Sequence, residues 1–302
     1  MRYLSFSSHL KQVFGRKVIR IPVDAGFTCP NRNGKKGTGG CIYCNNLAFT
    51  GKTADRNLSV EEQVRKATKD RDELFLVYFQ PYTNTYSSPS FLEKIWTDVL
   101  KIKNVVGIAI GTRPDCIDED VLKVIEKLNR LTYLWVELGL QSASDRTLEL
   151  INRGHTVKDF IECVEKLKRI GVRTCAHIII GLPGENREDF LRTGTLLSGL
   201  RVEGVKFHNI QVLKDTKLEE MYRKGVFTPI EMEEYVRTVV DILEILPEST
   251  VIHRLAGEAD PKWLIAPHWA FSKWRILSEI KKELERRDSW QGKRFNALYT
   301  FI

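Results

Sequence analysis

What most restricts the fold of this chain is a regular alternation. Short apolar runs, each about one strand long, are separated by amphipathic helical segments. The runs are residues 18–23, 74–79, 105–110, 133–138, 173–180 and 205–210. Several are apolar on consecutive residues, as strands buried on both faces are. The segments between them carry helix starts. Ser59 with Glu62 forms a capping box before 60–71. Pro89 and Ser90 open 89–101, Asp118 precedes 121–128, Thr156 opens 157–170, which Gly171 ends, and Asn186 precedes 187–197. Six strands, each followed by a helix or helix-like connection, predict a parallel α/β fold, a (β/α)6 partial TIM barrel. Such folds gather ligands at the C-terminal ends of their strands, so chemistry is expected just after each apolar run. From about Val226 the rhythm changes. Residues 230–246 read as one long helix stopped by Pro247, 250–255 as a strand, and 272–287 as a charged amphipathic helix. The expected organisation is an N-terminal segment (1–16), a core (17–225) and a C-terminal α-rich extension packed on it (226–302).

Composition narrows the class. With 302 residues, 42% hydrophobic and 28% charged, the chain is neither disordered nor fibrous nor a disulfide-stapled secreted domain. No apolar run is long enough to span a bilayer, so no membrane association is expected. The first ten residues lack the basic start, apolar stretch and small-residue cleavage site of a secretory signal. The expected location is the cytoplasm, where six cysteines stay thiols or metal ligands. The net charge of +8 is compatible with a nucleic-acid partner, but on charge alone a solvated basic surface is favoured. It is densest around Arg16, Lys17 and Arg20, around Arg32, Lys35 and Lys36, and along 281–287.

Three cysteines follow the first strand in the pattern C-x11-C-x2-C: Cys29, Cys41 and Cys44, within CPNRNGKKGTGGCIYC. Gly34, Gly37, Gly39 and Gly40 allow the loop to fold back, bringing Cys29 to the other two. Arg32, Lys35 and Lys36 favour thiolates there. The spacing serves two metals equally well. Structural zinc takes four protein ligands, for which Cys116 and His155 are the remaining candidates. A 4Fe–4S cluster on three cysteines leaves one iron open. A disulfide is disfavoured by the compartment.

The remaining blocks follow successive strands: FQPYTNTY (79–86), GTRPD (111–115), ELGLQS (137–142), INRGH (151–155) and GLPGE (181–185). In this order, with the long first gap in the cysteine pattern, the chain resembles the radical S-adenosylmethionine (radical SAM) superfamily. The resemblance covers nearly the whole chain. It is closest to compact bacterial proteins that are related to the catalytic subunit of Elongator but lack its acetyltransferase domain. Some of these resemble enzymes acting on the side chain of the tRNA wobble uridine. The gap itself departs from the superfamily's usual C-x3-C-x2-C.

The resemblance implies that Cys29, Cys41 and Cys44 ligate a 4Fe–4S cluster whose fourth iron is chelated by S-adenosylmethionine. Reduction of the cluster then yields a 5′-deoxyadenosyl radical. It further implies that Tyr43 packs beside the adenine. Gln80 stands where relatives place a Gly-Gly-Glu-like turn for the methionyl amine; this chain departs from that turn, leaving the backbone to serve. Glu137, a carboxylate in an apolar strand, is costly to bury without a partner. The resemblance casts it as the acceptor of the ribose hydroxyls, with Gln141 completing the site and Arg153 pairing with the methionyl carboxylate. The rival is a structural Glu137–Arg153 ion pair. Gly181 is expected to let the backbone approach the adenine.

Substrate contacts are expected from Tyr82, Asn84, Arg113, His177 and His208. The rivals are a structured turn for Tyr82 and Asn84, a salt bridge to Asp115 for Arg113, and core packing for the histidines. His253–Arg254 and Pro267–His268–Trp269 offer RNA stacking and phosphate contacts against simple packing of the extension. Cys116, Cys163 and Cys175 read as core. The implied partners are a tRNA substrate and an electron donor such as flavodoxin or ferredoxin. The alternatives are a radical SAM enzyme acting on a porphyrin or other small molecule, since oxygen-independent coproporphyrinogen oxidases share the core pattern, and a zinc-stabilised RNA-binding module.

Overall fold

Six strands form on the apolar runs: β1 (Val18–Val23), β2 (Leu74–Phe79), β3 (Val105–Thr112), β4 (Tyr133–Gln141), β5 (Arg173–Ile180) and β6 (Gly204–Asn209). The structure is a computed structural model that describes residues 2–49 and 53–295. The outermost ends of the N-terminal segment and of the extension therefore lie outside the described residues. The six strands pair in sequence order, all in parallel. After a two-residue strand, β7 (Val212–Leu213), the chain returns in β8 (Val251–Arg254), which adds to β6 as a seventh parallel strand. The sheet curls into a half-barrel with β1 and β8 at its edges. A short β9 (Leu264–Ala266) pairs antiparallel with β7. The C-terminal region is thus joined to the core by backbone hydrogen bonds as well as by packing.

Helices cover the outer face. Val77, Ile108, Val136 and Leu138 pack there with Trp96, Ile125, Phe160 and Leu167 in one cluster. The helix starts are fixed by side-chain caps, with complete capping boxes at Ser59/Glu62, Thr156/Asp159 and Asn186/Asp189. Among the described residues no helix is long and apolar enough to cross a membrane.

The inner face has a different composition at each depth. At the bottom, Leu76, Tyr78, Ala109, Trp135 and Cys175 pack with Phe6 and Leu10 of an N-terminal helix, Phe6–Phe14. Ser5 caps that helix by accepting from the Ser8 amide at 3.2 Å, and Gly15, at φ 72°, ends it. The Phe6 ring stacks on His253 with centroids 4.0 Å apart and meets Trp135 edge-on at 5.8 Å. The barrel floor is therefore plugged. Because side chains alternate along a strand, β4 presents Trp135, Glu137, Gly139 and Gln141 in turn to the interior. The lining passes from an apolar floor through a charged middle to an open, polar mouth.

Candidate active site at the mouth of the half-barrel

A cavity of about 280 Å³ lies inside the curl of the sheet and is lined by two chemically distinct walls. The first carries Cys29, Cys41 and Cys44, all free thiols. Their loop is folded back by hydrogen bonds from Arg32 N to Cys29 O (2.9 Å), Gly40 N to Asn31 O (2.9 Å) and Cys44 N to Cys41 O (3.0 Å). Gly39 and Gly40 take φ values of 76° and 77° that side chains resist. Asn152 clasps the loop from outside, donating to Gly40 O at 2.8 Å. Burial pushes the Cys44 thiol up to about 11, and the neighbouring Cys41 and Cys29 sulfurs add to the rise.

Neither fourth-ligand candidate reaches this wall. Cys116 lines a separate groove with Lys35 and Asp118. His155 accepts from Arg153 Nε at 2.9 Å and is held neutral, its pKa driven down to about 3 by burial and by Arg153. A three-thiol donor set with N–H groups of Arg153 and Asn31 directed at Cys41 Sγ (3.7 and 3.9 Å) fits an iron–sulfur cluster with one open iron, not a closed zinc site.

Arg153 stands beside the thiols. Its Nη2 donates to Gly139 O at 2.8 Å, and a Cβ on Gly139 would lie 2.5 Å from that nitrogen, so the guanidinium occupies the space glycine leaves. Arg113 supports it from behind. Its Nη1 donates to Arg153 O at 2.8 Å, while Nε and Nη2 grip Asp115 at 2.9 and 3.0 Å. Lys36 closes the chain on Asp115 Oδ2 at 2.8 Å. Against its own burial, these two cations hold Asp115 down to about 2. The salt bridge to Asp115 weighed for Arg113 forms, and the residue also lines the cavity.

The second wall is a charged network centred on Glu137. Its Oε2 takes Lys206 Nζ and His177 Nε2, both at 2.7 Å. Its Oε1 takes His253 Nδ1 at 3.0 Å and Arg20 Nη1 at 3.3 Å. Lys206 also donates to Tyr78 Oη at 2.8 Å. Complete burial opposes ionisation of Glu137, but Lys206, the two histidines and Arg20 hold it well below the usual carboxylate range. The Glu137–Arg153 pair does not form. With two donors on each oxygen the carboxylate is engaged by protein, and it also lines the cavity. Burial and Lys206 drive His177 down to about 3, and burial drives His253 down to about 4, so both are neutral donors. Glu137, Cys175 and His177 place ligand atoms within 4.8 Å of one another, but Lys206 and Arg20 already neutralise the carboxylate that a metal would need.

Of the other expected site residues, Tyr43, Gln80, Tyr82, Gln141, His177 and His208 line this cavity. Asn84 and Gly181 do not. Asn84 Nδ2 donates to Pro81 O (3.0 Å) and Gly111 O (2.8 Å), holding the turn. Gly181, at φ 92°, is approached by Ile230 and Ile210, so its close contact is with protein. In the extension, His253 belongs to the floor, and Trp269 Nε1 donates to Ile230 O at 3.1 Å, which favours packing over RNA contact. Sequence reading missed Arg20, Tyr78 and Lys206. Their signal was present: each is a polar residue inside an apolar run, as Glu137 is.

Among the described residues the mouth of the half-barrel holds three thiols and no fourth protein ligand, the donor set that a radical SAM enzyme uses. The chain belongs to the Radical SAM superfamily, whose pattern matches residues 33–197, and a Radical_SAM C-terminal domain follows at 202–286. Its cofactors are accordingly a 4Fe–4S cluster and S-adenosylmethionine. The chain is 40% identical to YtqA of Bacillus subtilis (strain 168) over 302 residues, 98% of this chain and 94% of that one. It is 32% identical over 146 residues to the tRNA uridine(34) acetyltransferase of Methanocaldococcus infernus, 47% of this chain and 27% of the relative. The solved structure of M. infernus Elp3 with an N-terminal deletion has the same fold, with a TM-score of 0.63 at 18% identity over 91% of this chain and 64% of that one.

Proposed function

We propose that this enzyme modifies the side chain of the wobble uridine of tRNA. The observation that carries the reading is the 146-residue similarity to a tRNA uridine(34) acetyltransferase at 32% identity. The net charge of +8 accords with a polyanionic substrate. In this reading Cys29, Cys41 and Cys44 hold the cluster, Arg153 receives the methionyl carboxylate, and the Gln80 backbone receives the methionyl amine. Tyr43 and Gln141 position the nucleoside, while Tyr82, His177 and His208 meet the substrate. When bound, the cluster and S-adenosylmethionine supply a 5′-deoxyadenosyl radical after one-electron reduction. Glu137 keeps the interior strands in register and the two histidines oriented. The wobble base must leave its stack to enter, since the cavity lies inside the barrel curl. Flavodoxin or ferredoxin supplies the electron, and the cytoplasm is the compartment that holds both donor and tRNA.

The test is mass spectrometry of tRNA nucleosides from cells with and without the protein. A changed wobble uridine, restored by the wild-type gene but not by Cys41→Ala, is the expected result. Unchanged wobble nucleosides together with an altered porphyrin or other metabolite would overturn the reading in favour of a small-molecule substrate.

A further inference from the structure

The second wall of the cavity is short of negative charge. Arg20, Lys206 and Arg254 all belong to it, and Glu137 is the one carboxylate hydrogen-bonded among them. The nearby histidines add no charge, since burial keeps His177, His208 and His253 neutral. Glu258 also lines the cavity, but Lys273 takes it at 3.0 Å. Glu137 is engaged by Arg20 and Lys206, and Arg254 is left over. Among the described residues Arg254 makes no ion pair, and its Nε and Nη2, both buried, meet no acceptor. Two more polar atoms in the cavity lining are unpartnered, Asn209 Nδ2 and Gln211 Oε1. Arg254 is half-buried, but leaving two buried N–H groups of a guanidinium without acceptors is costly, and folded proteins keep such groups where something pairs with them.

Arg254 is also well placed for a ligand. It ends β8 in register with Lys206 of β6, so two cations stand side by side on adjacent strands. Its charged and phenolic neighbours include Lys206, Tyr78, Arg20, Glu137 and Tyr235, which belong to the charged network and the floor rather than to the thiol loop. Arg153, by contrast, sits against Cys41 and Tyr43. Of the four arginines that line the cavity, Arg32 and Arg113 are tied to the Cys44 carbonyl and to Asp115, Arg153 stands beside the thiols, and Arg254 stands beside the charged network.

We propose that Arg254, backed by Lys206, recognises a carboxylate or phosphate group carried by the substrate. The guanidinium fork matches the oxygens of either group, and the excess positive charge of the wall is neutralised when it is filled. The inference rests on the reading that substrate enters this cavity. It adds that the part of the substrate held at the charged wall is anionic rather than a neutral base edge alone.

The experiment uses the full-length holoenzyme and two probes, acetate and inorganic phosphate, at ionic strength matched with chloride. Thermal unfolding and calorimetric titration read binding. The wild type is expected to bind one probe saturably. Arg254→Met should lower that affinity at least tenfold while raising the unfolding temperature of the ligand-free protein, because the two buried N–H groups without acceptors are gone. Arg254→Lys should keep part of the affinity. Acetate alone assigns a carboxylate, phosphate alone a phosphoryl group. The proposal is overturned if neither probe binds the wild type, if Arg254→Met binds as the wild type does, or if S-adenosylmethionine displaces the probe. Should Arg254→Met not fold, the wild type and Arg254→Lys still decide the matter. A protein that binds the anion through Arg254 yet leaves wobble nucleosides unchanged keeps this site and loses the tRNA reading, so the two failures are distinguishable.

Discussion

Glu137 is the residue on which the barrel interior depends, because four donors from β1, β5, β6 and β8 converge on it. Glu137→Gln leaves Lys206 and Arg20 facing each other without a counter-charge. Breaking a buried pair from one side costs roughly 3–5 kcal/mol, which urea denaturation would read as a lower midpoint. The same carboxylate sets an acid limit. Its pKa is held below the ordinary 4.5 in the folded protein, so the stability it contributes is present above that value and is lost as pH falls towards the folded pKa. Wild type should therefore lose stability on acidification more steeply than Glu137→Gln. Glu185 has the opposite sign. Burial raises it to about 7, with a hydrogen bond from Ser142 opposing, so its contribution is full below about pH 4.5 and is lost as pH rises through 7. Glu185→Gln should be more stable than wild type at pH 8, by roughly 1–3 kcal/mol, with the advantage gone at pH 5. Equal melting temperatures of the two proteins at pH 8 would show that Glu185 ionises without cost.

At the scale of elements, β4 shows how one strand can be floor, hub and cradle in successive inward positions. Gly139 makes the cradle, and its φ is not in the left-handed region, so Ala there strains no backbone. The added Cβ would instead strike Arg153 Nη2 and Gln141 Nε2, at 2.5 and 2.6 Å. Gly139→Ala should weaken S-adenosylmethionine binding about tenfold, or ~1.4 kcal/mol, with iron content unchanged. An unaltered dissociation constant would remove Arg153 from the cofactor site. The strands were legible in the sequence because burial on both faces leaves consecutive apolar residues, and the helix starts because Ser59, Thr156 and Asn186 carry their caps locally. The helix Phe6–Phe14 was not, since nine residues with a narrow apolar stripe gain their meaning only from the barrel floor they fill. Nor was the place of β8, whose partner is set by pairing with β6 and not by its own four residues. Glu137 was recognised as anomalous, but its partner was not, because Lys206 lies 69 positions away and strand order had to bring the two together. Lys206 was not singled out and Arg20 was read only as part of a basic surface spot, because a single polar residue in an apolar run also marks an exposed strand edge. The three cysteines could be grouped from the sequence because they share one loop.

For the whole molecule, the proposed tRNA contact places basic surface around the cavity mouth. Lys36 is a poor probe of that surface, since it is tied to Asp115 and through Arg113 to the carbonyl of Arg153. Lys35, exposed and lying 5.3 Å over the Tyr86 ring, is the better one. Lys35→Glu should weaken tRNA binding and flatten its salt dependence, leaving S-adenosylmethionine affinity as it was. The most direct test of the account is anaerobic turnover. Reconstituted enzyme, a reductant and S-adenosylmethionine are mixed with tRNA purified from cells lacking the protein. The account predicts that tRNA accelerates 5′-deoxyadenosine formation and that a wobble-uridine nucleoside changes mass, with both effects abolished by Cys41→Ala. Formation of 5′-deoxyadenosine at the same rate without tRNA, with every nucleoside unchanged, would contradict it.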